Sequence, residues 1–400
     1  MLRGTTIVVL SSIDWAFNWQ NPQEVASALA ADGNRVLFVE NTGIRRPAWK
    51  DRSRLRRRLA NWYRARGGTV QTAAGVDVWS PVLVPLPYSR VASRLNAAVV
   101  LRTIRRWAGE SGPIVLITFL PSPLVRAVIR GLSPAVTVYY IMDRLTESSP
   151  GAWRLRRHED ALLAEADLVF TTSHGLLESA SQISTRVSMV SSGVRFQAFQ
   201  QARERPADRP RVGSGRTPPV IGYVGSVRDE LDLVLLSHVA RLAPDLSFLI
   251  IGPILTDIRE LSGRANVRFV GPVPHDEVIR YLMTFDAGII PYVQNSYTAH
   301  IMPFKLKEYL AAGLPIVATS LPEIRRFVSE HGDVVTIADT AEAFVAALRS
   351  AVAADSPAKR ARRLNVAKHY DWADSIKTMS VHMSTALDAR RVNTPARHLA

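Results

Sequence analysis

The chain has 400 residues, 47% of them hydrophobic, enough for two domains that each bury a core. It contains no cysteine, which excludes disulfides and thiolate metal sites, and no apolar run reaches the roughly 18 residues of a membrane-spanning helix. The net charge is +15 and unevenly placed: ten Lys and Arg stand between Arg45 and Arg66 against one acid, Asp51, which points to an anionic partner.

Residues 5–10 are predicted to be a buried strand, and its apolar run 7–10 is too short and too soon followed by Asp14 to be a signal-peptide core. Asn21-Pro22-Gln23-Glu24 reads as a helix start, with Asn21 as N-cap, Pro22 at the first position and Glu24 at the third. Gly33 stops that helix, and 35–40 is a second strand. Strand, helix, strand at this spacing is a βαβ unit and predicts a parallel sheet. The loop 11–20 carries Asp14, Asn18 and Gln20. Loops at the carboxyl ends of such strands line ligand clefts, so these three are ligand candidates; polar loop residues satisfied by their own surroundings are the plain alternative.

Within 45–66, Leu55, Leu59, Trp62 and Tyr63 fall on one helical stripe flanked by arginines. Trp and Tyr favour a lipid interface, so segment 52–66 is a candidate for membrane-surface binding, set against a domain helix with its stripe in the core and, third, a nucleic-acid contact. Further strands are predicted at 76–84, 114–119, 136–142 and 166–173, with helices at 89–107, after Pro121 and from Trp153. Asp143 directly follows one of these strands, facing the same expected cleft as Asp14. Residues 191–194 close this half, and 203–219, with four prolines and two glycines, reads as a linker.

The pattern then restarts, with strands at 220–225, 248–251, 267–270, 287–290, 315–318 and 334–337 separated by helical stretches. Gly225-Ser226-Val227-Arg228 is a glycine turn after a strand, suited to close backbone approach by a phosphate, although turns need glycine in any case. Pro274 precedes a helix whose Asp276 and Glu277 read as capping acids. Pro303 suits the first turn of another helix, which Gly313 and Pro315 close. Lys305 and Glu308 share one face near its positive end, while Leu306 and Leu310 turn to the sheet. A cation and a carboxylate there suit a nucleotide sugar, the ammonium on the diphosphate and the carboxylate on ribose hydroxyls. An exposed Glu–Lys pair is the plain alternative. Helices at 358–368 and 375–387 end the chain.

The stretch PFKLKEYLAAGLPIVATSLPEI, residues 303–324, resembles the donor-site helix and following strand of GT-B glycosyltransferases. It is most similar to the large bacterial family, glycosyl transferases group 1, that builds cell-surface polysaccharides of the teichuronic acid type. The resemblance implies an α/β GT-B fold: two Rossmann-like doubly wound domains facing across a cleft, with a C-terminal helix crossing back. The domains would be 1–202 on the acceptor side, a linker at 203–219, 220–369 on the nucleotide-sugar donor side, a crossing helix at 370–390 and a frayed tail at 391–400.

The same resemblance implies that Glu308 contacts the donor's ribose and Lys305 its phosphates, with Gly225, Ser226, Arg228, Pro303 and Phe304 around them. It leaves Asn18 and Gln20 for the acceptor side, and Lys305, Asp143 and Asp14 as catalytic candidates. Many relatives carry a second glutamate where this chain has His300, and an Arg and a Lys near the glycine turn, where it has Ser226 and Leu231. Arg228 or Lys305 would take over that task. No Asp-x-Asp stands at a strand end, so no metal and no other cofactor is expected; Lys305, Arg228 and helix N-termini would stabilise the departing diphosphate. The implied enzyme is a retaining hexosyltransferase. Its partners would be a nucleotide-diphosphate sugar, a lipid-linked or saccharide acceptor, and the anionic inner face of the plasma membrane, met from the cytoplasm. Two rivals are a GT-B-fold sugar-nucleotide epimerase, which turns over donor alone, and a non-enzymatic basic protein that binds nucleic acid. The motif argues against the second, and no nucleic acid is expected.

Overall fold

The structure, a computed structural model, describes residues 1–16, 19–40, 68–86, 89–110, 112–147, 151–204 and 218–393. Asn18, the stretch 45–66 and most of the expected linker lie outside the described residues, as does the end of the expected tail. The chain divides into two compact units, Met1–Val190 with Ile376–Ala400, and Ser191–Ser375.

In the first unit, β1 (Thr6–Leu10), β2 (Arg35–Val39), β3 (Val70–Gln71), β4 (Asp77–Trp79), β5 (Ile114–Thr118), β6 (Val136–Ile141), β7 (Leu168–Thr171) and β8 (Val187–Met189) form one sheet. Its order is β3-β4-β2-β1-β5-β6-β7-β8. Every neighbouring pair is parallel except β3 with β4. The chain winds outward from β1 in one direction and then returns to build the other side from β5, the doubly wound arrangement. Helices on both faces bury β1 at every position, which is why Thr-Ile-Val-Val-Leu is a continuous apolar run rather than an alternating one.

The second unit repeats the plan with β9 (Val220–Val224), β10 (Ser247–Ile251), β11 (Val267–Gly271), β12 (Ala287–Ile290), β13 (Ile316–Ala318) and β14 (Thr336–Ile337). This sheet is wholly parallel, in the order β11-β10-β9-β12-β13-β14. The order reverses at β9, so the carboxyl end of β9, where Gly225 follows, is the switch point at which ligands bind in such sheets.

Four expectations are corrected. The strand expected at 76–84 shrinks to the three residues of β4, because Pro81 and Pro85 have no N–H for a ladder. The short β3 and β8 were not expected: at two and three residues they carry no readable apolar period. The first helix, Asn21–Ala31, is capped by Gln20 rather than Asn21; the Gln20 N–H donates to Gln23 Oε1 at 3.1 Å, which places Asn21 and Pro22 inside the first turn. The first unit ends at Val190 rather than at 202. Val194 N–H donates to Tyr370 O at 2.8 Å, and both Val194 and Phe199 of the helix Phe196–Arg203 sit in the second unit's core. The last helix, Trp372–Asn393, starts in the second unit and belongs to the first from Ile376 onward. Among the described residues no helix is long and apolar enough to cross a membrane.

Candidate functional site

The helix Phe304–Ala312 carries the site. Pro303 leads into it with extended backbone, and Gly313, at φ 77°, ends it in the left-handed conformation. Tyr309 sets its height above the sheet. The Tyr309 ring lies over Gly288 of β12, where an added Cβ would come within 2.5 Å of it. The Tyr309 hydroxyl accepts from the Val224 N–H at 3.0 Å, at the end of β9. Burial raises the pKa of that hydroxyl well above the tyrosine range, so it stays neutral.

With the helix so seated, Lys305 reaches the carboxyl end of β9. The residue is 7% exposed. Its Nζ donates to the Tyr292 hydroxyl and lies 4.7 Å from the Tyr292 ring centroid and 4.8 Å from that of Tyr223. Gly225 takes φ +142°, which L side chains rarely adopt, and a Cβ there would stand 3.2 Å from Lys305 Cε. The Tyr223 hydroxyl donates to Ser226 O at 3.1 Å; burial, then Tyr292, raises its pKa. The structure thus brings Lys305, Gly225 and Ser226 together and adds Tyr223 and Tyr292, which the sequence reading did not name.

An ammonium has three donors, and Tyr292 accepts from one. Among the described residues Lys305 has no other acceptor and no carboxylate within ion-pair reach. Two ring faces stabilise the cation without neutralising it, so its buried charge lacks a counter-ion. This excludes the exposed Glu–Lys pair.

Glu308 is half-buried one turn further along, near enough to Tyr309 for its charge to help raise that hydroxyl's pKa. Pro303 is buried, and the Phe304 ring packs on Trp372 with centroids 6.1 Å apart, so packing occupies it. Arg228 lies in the turn after Gly225 with its Nε buried and without a hydrogen-bond partner. Leu231 is a core residue, 3% exposed.

Lys307 was also not singled out. It is 1% exposed; its Nζ donates to Ser191 Oγ and, at 2.5 Å, to Ser192 O, and lies 4.6 Å from the Tyr370 ring centroid. Burial lowers its pKa to about 7. Its spacing held a hint: two residues beyond Lys305, it falls on the opposite side of the helix, where Ser191, Ser192 and Tyr370 surround it.

In the first unit, Asp14 follows β1 and Asp143 follows β6, both half-buried at carboxyl ends of strands in one sheet. Gln20, named for the acceptor side, caps the first helix, its backbone N–H donating to Gln23 Oε1 at 3.1 Å. Among the described residues no group of three or more His, Cys, Asp or Glu is placed to hold a metal ion.

Two doubly wound parallel sheets, with a buried cation at the switch point of the second, define the class: this is the GT-B fold. Sucrose-phosphate synthase from Thermosynechococcus elongatus is similar over 96% of this chain and 100% of its own, with a TM-score of 0.69 and 16% identity. HepE from Anabaena, in complex with UDP-glucose, is similar over 95% and 99%, with a TM-score of 0.66 and 13% identity. Residues 218–354 match the model of the family described as Glycosyl transferases group 1. TuaH of Bacillus subtilis (strain 168), provisionally named as a teichuronic acid biosynthesis glycosyltransferase, is 33% identical over 193 residues. That match covers 47% of this chain and 48% of TuaH, so the chain spans about half the length of the relative it matches. The match to the group 1 glycosyltransferase model thus falls within the second unit, in a chain of GT-B fold.

Proposed function

We propose that the protein is a glycosyltransferase that moves a hexosyl residue, with retention, from a nucleoside diphosphate to a saccharide or lipid-linked acceptor of a cell-surface polysaccharide. It does so without a metal, from the cytoplasm at the inner face of the membrane. One observation carries the reading: the Lys305 ammonium, buried beside Gly225 and lacking an anionic partner. The UDP-glucose held by HepE supports a uridine nucleotide as donor.

In this reading the diphosphate lies on the 225–228 turn. The C1–O bond to the donor's β-phosphate breaks, a bond from the acceptor oxygen to C1 forms, and the acceptor hydroxyl releases its proton. Negative charge grows on the leaving phosphate, where the two free donors of Lys305, the Arg228 Nε and backbone N–H groups meet it. Glu308 accepts from the ribose hydroxyls, and Asp14 and Asp143 orient the acceptor hydroxyl or take its proton. Tyr223 and Tyr292 hold the lysine in place beforehand, so binding loses little of the roughly 1.5–2 kcal/mol of rotamer entropy a free lysine carries.

Thermal melts with a panel of UDP-, GDP-, ADP- and dTDP-sugars test the reading, since a donor that binds the folded state raises the midpoint by mass action. No shift from any of them overturns it. Turnover of donor with no acceptor present identifies an epimerase instead.

A further inference from the structure

Among the buried polar side-chain atoms of the first unit that lack a hydrogen-bond partner are Ser93 Oγ, Arg126 Nε and His158 Nδ1. Folded proteins leave few such groups unpaired, yet these three belong to residues lining one open cavity of about 610 Å³. The cavity lies between the helices Arg90–Ala108, Pro123–Leu132 and Arg156–Glu165. Arg90, Arg94, Arg130 and Arg157 line it together with Arg126. Among the described residues a single carboxylate pairs with these five guanidiniums: Glu165, 2.5 Å from Arg126 Nη2. Ser93 is 6% exposed, so its unpartnered hydroxyl is well inside the wall.

The wall offers donors throughout. Arg157 Nε donates to His158 Nε2 at 3.3 Å, which leaves the ring proton on Nδ1, the atom without a partner. Burial, then Arg157, Arg126 and Arg130, hold the His158 pKa below its usual value, so the ring is neutral and donates from Nδ1. Guanidinium forks from five arginines around one cavity, with one carboxylate among them, call for a compact anion made of acceptors. Phosphate oxygens match the guanidinium fork in charge and geometry. On the helix that supplies Arg90 and Arg94, the adjacent Val91 and Leu95 are 67% and 58% exposed.

We propose that this cavity binds a phosphate-bearing anion, a phosphomonoester or diphosphate group, through residues of the first unit alone. The group belongs either to a soluble compound or to a lipid headgroup presented at a membrane surface.

The full chain is titrated calorimetrically with inorganic pyrophosphate, beside the variant Arg94→Gln/Arg130→Gln. A charge-matched control, Arg102→Gln/Arg106→Gln, removes two exposed arginines of the same helix outside the cavity. Any pyrophosphate bound in the second unit is common to all three proteins and cancels. The cavity variant is expected to lose about tenfold or more in affinity, the effect of one to two charge-assisted hydrogen bonds, and the control less than about twofold. Equal losses in both variants, or none in either, overturn the proposal. Sedimentation with vesicles of phosphatidic acid in phosphatidylcholine, against phosphatidylcholine alone, separates the sources. If the cavity variant loses both pyrophosphate and vesicle binding, the group is a headgroup. If it loses pyrophosphate while all three proteins sediment alike, the group is soluble.

Discussion

Replacing Lys307 by Met removes an amine that the fold holds away from water, 1% exposed, with Ser191 Oγ, Ser192 O and the Tyr370 ring around it. Its pKa is lowered from 10.5 to about 7 by burial. Below pH 7 the amine is charged in both the folded and the unfolded chain, and the fold bears the full cost of burying that charge. Between pH 7 and 10.5 the unfolded chain binds the proton and the folded chain does not, so stability rises with pH until the cost is gone. At about 1.4 kcal/mol per unit the whole cost is about 5 kcal/mol, of which about 3–4 kcal/mol disappears between pH 7 and 10. Met has no such titration; the hydrogen bonds it loses to Ser191 Oγ and Ser192 O are a pH-independent loss. Urea unfolding of both proteins at pH 7, 8, 9 and 10 reads the difference directly, because every other titrating group is common to the two. The wild type should gain about 3–4 kcal/mol on Lys307→Met across that range. Parallel stability curves refute the reasoning: the amine would then keep its proton in the fold, held by its two acceptors and the Tyr370 ring.

Lys305→Ala should cut turnover about a hundredfold or more if, as proposed, it removes the cation that meets the leaving diphosphate; a rise in KM with kcat unchanged contradicts that role. Glu308→Ala should leave the fold intact and weaken nucleotide binding by about 1.5–3 kcal/mol in a calorimetric titration, and unchanged affinity removes the ribose contact. Gly225→Ala forces φ +142° on a side chain and presses on Lys305 Cε, so it should cost about 1–3 kcal/mol of stability and blunt the thermal response to the donor. Asp14→Asn and Asp143→Asn keep shape and remove charge; full activity in both across pH excludes both as the acceptor's base.

The strands and the site helix were legible because their signals are local. A strand covered on both faces must be apolar throughout, as β1 and β9 are, and a helix ended by Gly313 announces its limit. What the sequence hid was assembled over distance. Tyr292 and Tyr223 flank Lys305 only because β9 and β12 are neighbours in the sheet. Lys307 finds Ser191 across 116 positions, so its buried role has no local mark. Gln20 caps the first helix, although its residue type is not among the usual caps and so left no local mark. The arginine cavity gathers side chains from three helices, each of which alone reads as a solvated basic face.

The floor that Gly288 makes beneath Tyr309 narrows the routes by which this site can drift or be redesigned. A methyl group added at 288 would sit 2.5 Å from the ring and push the helix off the sheet. Trimming Tyr309 to make room leaves the buried Val224 N–H without its acceptor, at a cost of about 1–3 kcal/mol. Each single step is costly, and taking both exchanges a clash for an unpaired donor. Variation that alters the sugar or base preference of the proposed donor site is therefore channelled to positions that do not set the helix height, with Ser226 and Arg228 first among them. A library that randomises those two while holding 288 and 309 fixed should return more folded members than one spread evenly over the motif.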